Sequence, residues 1–246
     1  MKLVVAVALL LSLGVAASST AEDFDFFYLV QQWPGSFCDT KQGCCFPSTG
    51  KPAADFGIHG LWPNYAACRP VAAAAAVDAF DIVASQKKNC WPQYCNDLNP
   101  LSLLEITDLL KTLDRDWPSL SCKNGGRGMD FWSYEWRKHG TCAGLDQHEY
   151  FEAALALKAR HNLTAILAGA GIVPSDTETY FLSSVRDAIT EATGFKVNLE
   201  CNRGVSGEAQ LFQVYQCVDR DGKKLVDCTL PMNNSKCTDR VKLPAF

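Results

Sequence analysis

The stretch QLFQVYQCVDRDGKKLVDC, residues 210–228, reads as two apolar runs joined through Asp221-Gly222. An Asp-Gly pair between alternating apolar runs is a strong hairpin signal. Just upstream, FKVNLEC (195–201) is a further strand of the same character. At the other end of the chain FDFFYLVQQ (24–32) is aromatic and β-branched, which predicts a strand buried on both faces and ended by Trp33-Pro34-Gly35. A cysteine-rich loop with Cys38, Cys44 and Cys45 follows, then a second short strand, DFGIH (55–59), running into a turn at Gly60 and LWPNY. Helical patterns fill the middle. Residues 101–113 repeat apolar positions at helical intervals, 146–167 are amphipathic, and Ser175-Asp176-Thr177-Glu178 reads as a helix start reaching about Ala192. Strands at both ends and helices between predict an α+β fold, a central antiparallel β-sheet flanked by helices.

The N-terminus sets the compartment. Lys2 precedes an apolar run and a small-residue stretch, the pattern of a secretory signal peptide, with cleavage after Ala17 or Ala21. Cleavage at Ala21 divides the chain into a leader, 1–21, and one domain, 22–246, a length that fits a single core. We expect no membrane span and a secreted or vacuolar protein. There are 12 cysteines, an even number, and on an oxidising route this reads as a full set of disulfides. The spacing lacks paired C-x-x-C elements, so a zinc site is not expected. A net charge of −4 argues against non-specific coating of nucleic acid, without excluding an enzyme that engages one or two phosphates locally. Residues 66–90 form an alanine-rich insert between Cys68 and Cys90: either a helical excursion clipped by a disulfide or a disordered tract.

FWSYEWRKHGTC (131–142) concentrates the chemistry. Glu135, Lys138 and His139 fall at i, i+3 and i+4 and share a helix face. Of the four histidines, His148 and His161 lie among charged residues and read as solvated surface. His59 ends an apolar strand, and His139 sits near a helix end. Either alone is unremarkable. Together they suit cleavage of RNA by its own 2′-hydroxyl, which needs one base and one acid. A lysine and a carboxyl group would then stabilise charge on the phosphoryl oxygens.

FGIHGLWPNY (56–65) and FWSYEWRKHGTC resemble the two active-site segments of the T-two ribonucleases, and YLVQQWPGSFC, WPSLSC and NLECN…LFQVYQCVD resemble the plant S-like branch of that family. The resemblance covers nearly the whole mature chain apart from the insert. It implies that His59 is the general acid and His139 the general base, with Glu135 and Lys138 stabilising the phosphorane. Trp62 and Asn64 would belong to a first base site, Gln32 and Phe131 to a second. It implies a monomer acting on single-stranded RNA, yielding 2′,3′-cyclic phosphates and then 3′-phosphates, with no cofactor or metal. It further implies the bridges Cys38–Cys44, Cys45–Cys122, Cys95–Cys142, Cys201–Cys237 and Cys217–Cys228, which leaves Cys68 to pair with Cys90. Asn162 and Asn233 head sequons for glycosylation.

One position departs from the pattern. Tyr134 stands where the family usually carries a third, phosphate-holding histidine. Tyrosine still donates a hydrogen bond but has no positive charge at acid pH. The expectation is a slowed endoribonuclease. The alternative is a silent storage or defence protein on the same scaffold, which survival of His59, Glu135, Lys138 and His139 argues against.

Overall fold

The computed structural model describes residues 23–70, 88–123, 127–230 and 235–246. The expected leader, the alanine run of the insert and the Asn233 sequon lie outside those residues. Along the chain, β1 (Phe26–Gln32) and α1 (Pro34–Cys38) precede β2 (Gly57–Asn64), and β3 (Arg69–Pro70) pairs with β4 (Lys88–Asn89) at the base of the insert. Helices follow: α2 (Leu110–Asp116), α3 (Gly128–Lys138), α4 (Gln147–Arg160) and α5 (Leu163–Gly169). Then come β5 (Tyr180–Phe181), α6 (Leu182–Thr193), β6 (Asn198–Arg203), β7 (Ala209–Val218), β8 (Leu225–Val226) and β9 (Arg240–Val241).

The sheet is antiparallel in the order β2-β1-β7-β6, with β8 pairing β7 across the Asp221-Gly222 turn. Gly222 takes φ 69°, a left-handed conformation that glycine adopts without penalty. Two bulges interrupt the ladder. Val30 pairs with Gly60 and Gln31 with Ile58, so His59 is an extra residue in β2. Glu200 pairs with Gln213 and Cys201 with Leu211, so Phe212 is an extra residue in β7. Such insertions re-aim the side chains around them. The expected turn at Gly60 is therefore a bulge, and the strand runs on to Asn64. Pro63 is tolerated because β2 is an edge strand.

Apolar residues bury on two sides of the sheet frame. Phe27, Leu29, Ile58 and Leu61 pack with Trp117, Trp132, Trp136, Tyr150 and Phe151 from the helical region. Leu199, Leu211 and Val214 pack with Leu163 and Leu167 of α5 and Val185 and Ile189 of α6. Lys158 of α4 is buried but paired, 2.7 Å from Asp55 and 3.1 Å from Asp116, as a buried charge requires. Six disulfides close the fold: Cys38–Cys44, Cys45–Cys122, Cys68–Cys90, Cys95–Cys142, Cys201–Cys237 and Cys217–Cys228.

Several local expectations change. β1 is buried on both faces only in its second half, since Phe26 and Tyr28 are half-exposed. Pro34–Cys38 forms a short helix where a loop was expected. Residues 103–109 wind as a 3₁₀ segment with a kink at Ile106 before α2 begins. The long helix over 146–167 is two helices, because the Asn162 side chain accepts from the Ala165 N–H and starts a new one. Ser175 caps a turn, and α6 begins only at Leu182, after Tyr180–Phe181 has paired with β9.

Candidate active site

The sheet and α3 supply the site from opposite sides. α3 forms because Trp132, Glu135 and Trp136 bury along one face, while Tyr134 and Arg137 point out. Trp132 Nε1 donates to the Trp117 carbonyl at 2.8 Å, and Trp117 Nε1 donates to the His59 carbonyl at 3.0 Å. The bulge leaves that carbonyl outside the ladder, so the indole both satisfies it and ties α3 to β2. His139 ends α3, its N–H donating to the Glu135 carbonyl at 2.9 Å. Tyr94 N–H donates to the Lys138 carbonyl, and the Cys95–Cys142 disulfide anchors the same corner.

Trp62 joins the two histidines. Its ring centroid lies 4.9 Å from that of His59, edge-on, and 5.1 Å from that of His139, stacked at 26°. Its Nε1 donates to Glu135 Oε2 at 2.8 Å. A Cβ on Gly60 would fall 2.0 Å from Trp62 Nε1 and 2.4 Å from Glu135 Oε2, so this contact needs a glycine between strand and helix. A cleft of about 480 Å³ is lined by Gln32, His59, Phe131, Tyr134 and Glu135, together with Ser119, Lys123 and Arg127. A larger groove of about 850 Å³, between α4 and the β7–β8 turn, is lined by no histidine. Chemistry, not volume, points to the smaller one.

Burial and one nearby cation set the protonation states. Glu135 is only 1% exposed, and burial pushes its carboxyl up to about 8 against the pull of the Trp62 hydrogen bond and the Lys138 charge. His59 is half-buried and lines the cleft. Burial and then Lys138 push it down to about 4, while its hydrogen bond to Gln213 acts upward. His139 is pushed down to about 3 by burial, Lys138 and the neighbouring His59. Its Nδ1 is buried with no hydrogen-bond partner among the described residues. Perturbed groups gathered around one cleft mark a functional site.

The structure brings His59, Trp62, Phe131, Tyr134, Glu135, Lys138 and His139 together, with Gln32 on the cleft wall. Asn64 does not line the cleft; it is buried and its Nδ2 donates to the Trp62 carbonyl at 3.2 Å. His148 faces Asp108 on the surface, and His161 lies at the α4–α5 junction, both away from the cleft. Sequence reasoning missed Gln213, Tyr215 and Glu200 behind His59, because strand pairing and not spacing along the chain brings them there. It also missed Lys123, Arg127 and Asp130 beside Phe131.

The family model described as the Ribonuclease T2 family matches residues 24–228. The chain belongs to the ribonuclease T2 family. It is 46% identical to Ribonuclease 1 of Arabidopsis thaliana over 100% of both chains. It is 43% identical to Extracellular ribonuclease LE of Solanum lycopersicum, over 98% of this chain and 95% of that one. Among solved structures, RNase NT in complex with 5′-AMP matches with a TM-score of 0.78 at 41% identity, covering 92% of this chain and 100% of that one. The T2 fold here is thus the α+β sheet with its flanking helices and six disulfides. No group of three or more His, Cys, Asp or Glu that could hold a metal ion occurs among the described residues.

Proposed function

We propose that this T2 chain is a secreted or vacuolar endoribonuclease that cleaves single-stranded RNA as a monomer, without a metal. The observation that carries the reading is the pair of imidazoles held by one tryptophan, beside a carboxyl that burial keeps neutral. His139, unprotonated above about 3, is free to take the proton from the 2′-hydroxyl as the 2′-oxygen bonds to phosphorus. His59 gives a proton to the 5′-oxygen as the P–O5′ bond breaks. The products are a 2′,3′-cyclic phosphate and a free 5′-hydroxyl. Water then opens the ring with the two roles exchanged, leaving a 3′-phosphate. Neutral Glu135 donates a hydrogen bond to a phosphoryl oxygen, and Lys138 supplies the positive charge there.

The acid character follows from the same geometry. In the free protein His139 loses its proton at about 3 and His59 at about 4, so the productive pairing of base and acid peaks in acid solution. A bound phosphate adds negative charge beside both rings and lifts both values. Tyr134 offers a neutral hydroxyl where a histidine would offer charge, so turnover is reduced. The leader, the extracellular tomato relative and the sequon at Asn162, which is exposed, support a secretory route.

Incubation with single-stranded RNA from about pH 3 to 8 tests the reading. Wild type should give cyclic phosphates with a bell-shaped profile that EDTA leaves unchanged, and His59→Ala should give none. Wild-type protein that cleaves nothing above the His59→Ala background would overturn it in favour of a silent storage or defence protein.

A further inference from the structure

Behind His59 lies a chain of side chains that the cleft does not reach. Gln213 of β7 places one amide atom 2.7 Å from His59 Nδ1 and the other 2.9 Å from the Tyr215 hydroxyl. That hydroxyl also lies 2.7 Å from Glu200 Oε2. The sheet dictates this grouping. Glu200 of β6 is the Cα partner of Gln213, and Tyr215 follows two residues on, on the same face. Edge contacts with Tyr28 and Trp62 hold the Tyr215 ring.

Counting protons decides the orientation. A phenol has one hydrogen and cannot donate to Glu200 and Gln213 at once. The carboxylate only accepts and makes the stronger, charge-assisted bond, so the hydroxyl hydrogen goes to Glu200. Burial, and then the Glu200 charge, push the Tyr215 phenol up, so that hydrogen stays in place. The Gln213 group facing Tyr215 must then be its NH₂, which donates to the phenol oxygen. Amide oxygen and nitrogen are alike in shape, and this leaves the oxygen facing His59. The ring must meet it with Nδ1–H.

We propose that Glu200, Tyr215 and Gln213 are positioning residues that hold His59 with Nδ1–H donating to the Gln213 carbonyl, so that Nε2 alone exchanges protons with RNA. The same Gln213 orientation serves neutral and protonated His59, and no side chain turns during turnover. Other groups act on the ring from elsewhere: Trp62 on its own strand, Phe131 and Lys138 on α3, and His139 at the end of α3. Among the described residues, it is the β6–β7 side that places a carboxylate at the end of a hydrogen-bond chain favouring the charged ring. The inference rests on His59 as general acid, but its first test does not use activity.

The ¹⁵N NMR spectrum of the free protein at neutral pH should show His59 as the Nδ1–H tautomer, changing to a mixture in Tyr215→Phe. Finding Nε2–H in wild type, or an unchanged tautomer in Tyr215→Phe, would overturn the proposal. In kinetics, Tyr215→Phe should move the alkaline limb of kcat/KM to lower pH and lower kcat/KM about tenfold on that limb, as loss of one hydrogen bond implies. Glu200→Gln, which keeps an acceptor and is the gentler change, should shift the limb in the same direction. Gln213→Glu, a direct acceptor with charge, should keep the Nδ1–H tautomer and move the limb upward. Unmoved limbs in all three variants would also overturn it. Retained cleavage by His59→Ala would instead overturn the assignment of His59 itself.

Discussion

The Lys138 ammonium sits 5.3 Å from the centroid of the Tyr134 ring, one helical turn away on α3. The aromatic face holds the cation that the proposed mechanism places on the phosphate. A histidine at 134 would trade that contact for a second positive charge. Tyr134→His should raise kcat/KM about tenfold in acid, the worth of a charge-assisted over a neutral hydrogen bond, and give no gain near neutral pH, where the new ring is uncharged. Tyr134→Phe keeps the ring face and should lose only the hydroxyl's share. A pH series of initial rates on a dinucleotide separates the two; a gain that is the same at every pH would contradict this account.

Because burial raises Glu135 to about 8, it is a neutral acid at working pH. Glu135→Gln keeps shape, neutrality, the acceptor for Trp62 and a donor for the phosphate. It should therefore retain activity within about tenfold, whereas Glu135→Ala should lose on the order of a hundredfold or more. Activity in the glutamine variant as low as in the alanine variant would show that ionised carboxylate is required.

Stability carries the same signature with opposite signs. Glu135 is raised from 4.5, so its contribution is fully present below about 4.5 and is lost as pH rises through about 8. His59 and His139 are lowered from 6.5, so theirs is present above about 6.5 and is lost as pH falls through about 4 and about 3. These three groups together favour a Tm maximum near 6.5. Thermal unfolding of Glu135→Gln should lose the decline between about 6.5 and 8 that the wild type owes to this residue.

Lys138 depresses both imidazoles, second only to burial. Lys138→Gln should move both limbs of the kcat/KM profile to higher pH while lowering its peak by about a hundredfold, since the phosphorane loses a cation. A lower peak at an unchanged optimum would mean that Lys138 acts on the phosphate alone.

Gly60 separates Trp62 from Glu135. Gly60→Ala would drive a methyl group into Trp62 Nε1 and Glu135 Oε2. Overpacking of this kind typically costs about 1–3 kcal/mol. Here it also breaks the indole–carboxyl hydrogen bond, so activity should fall further than stability does. Paired measurements of Tm and of RNA cleavage would show this.

Much of this molecule was legible in its residues, and the failures share a cause. The Asp221-Gly222 hairpin and the aromatic first strand depend on local turn chemistry and residue type; the hairpin forms as expected, and the strand forms with its first half buried on one face only. The helix expected over 146–167 divides because Asn162, besides heading a sequon, precedes a short apolar run and caps a new helix. The start at Ser175 failed because Tyr180–Phe181 finds a strand partner some sixty residues away, in β9. In the site, residues adjacent along α3 were readable from spacing. Gln213, Tyr215 and Glu200 were not, because only strand pairing brings them behind His59.

The bulge in β2 makes His59 supernumerary to the ladder: its neighbours Ile58 and Gly60 already face consecutive partners on β1. Removing residue 59 outright, instead of replacing it, would let the two edges zip without interruption, at the loss of the carbonyl that Trp117 holds and of the ring's contacts with Gln213, Trp62 and Phe131. Scaffold and reactivity are therefore separable by a single codon deletion. The folded protein that remained would be inert toward RNA yet keep its melting transition, an outcome that RNA cleavage and thermal unfolding of the deletion variant would decide together.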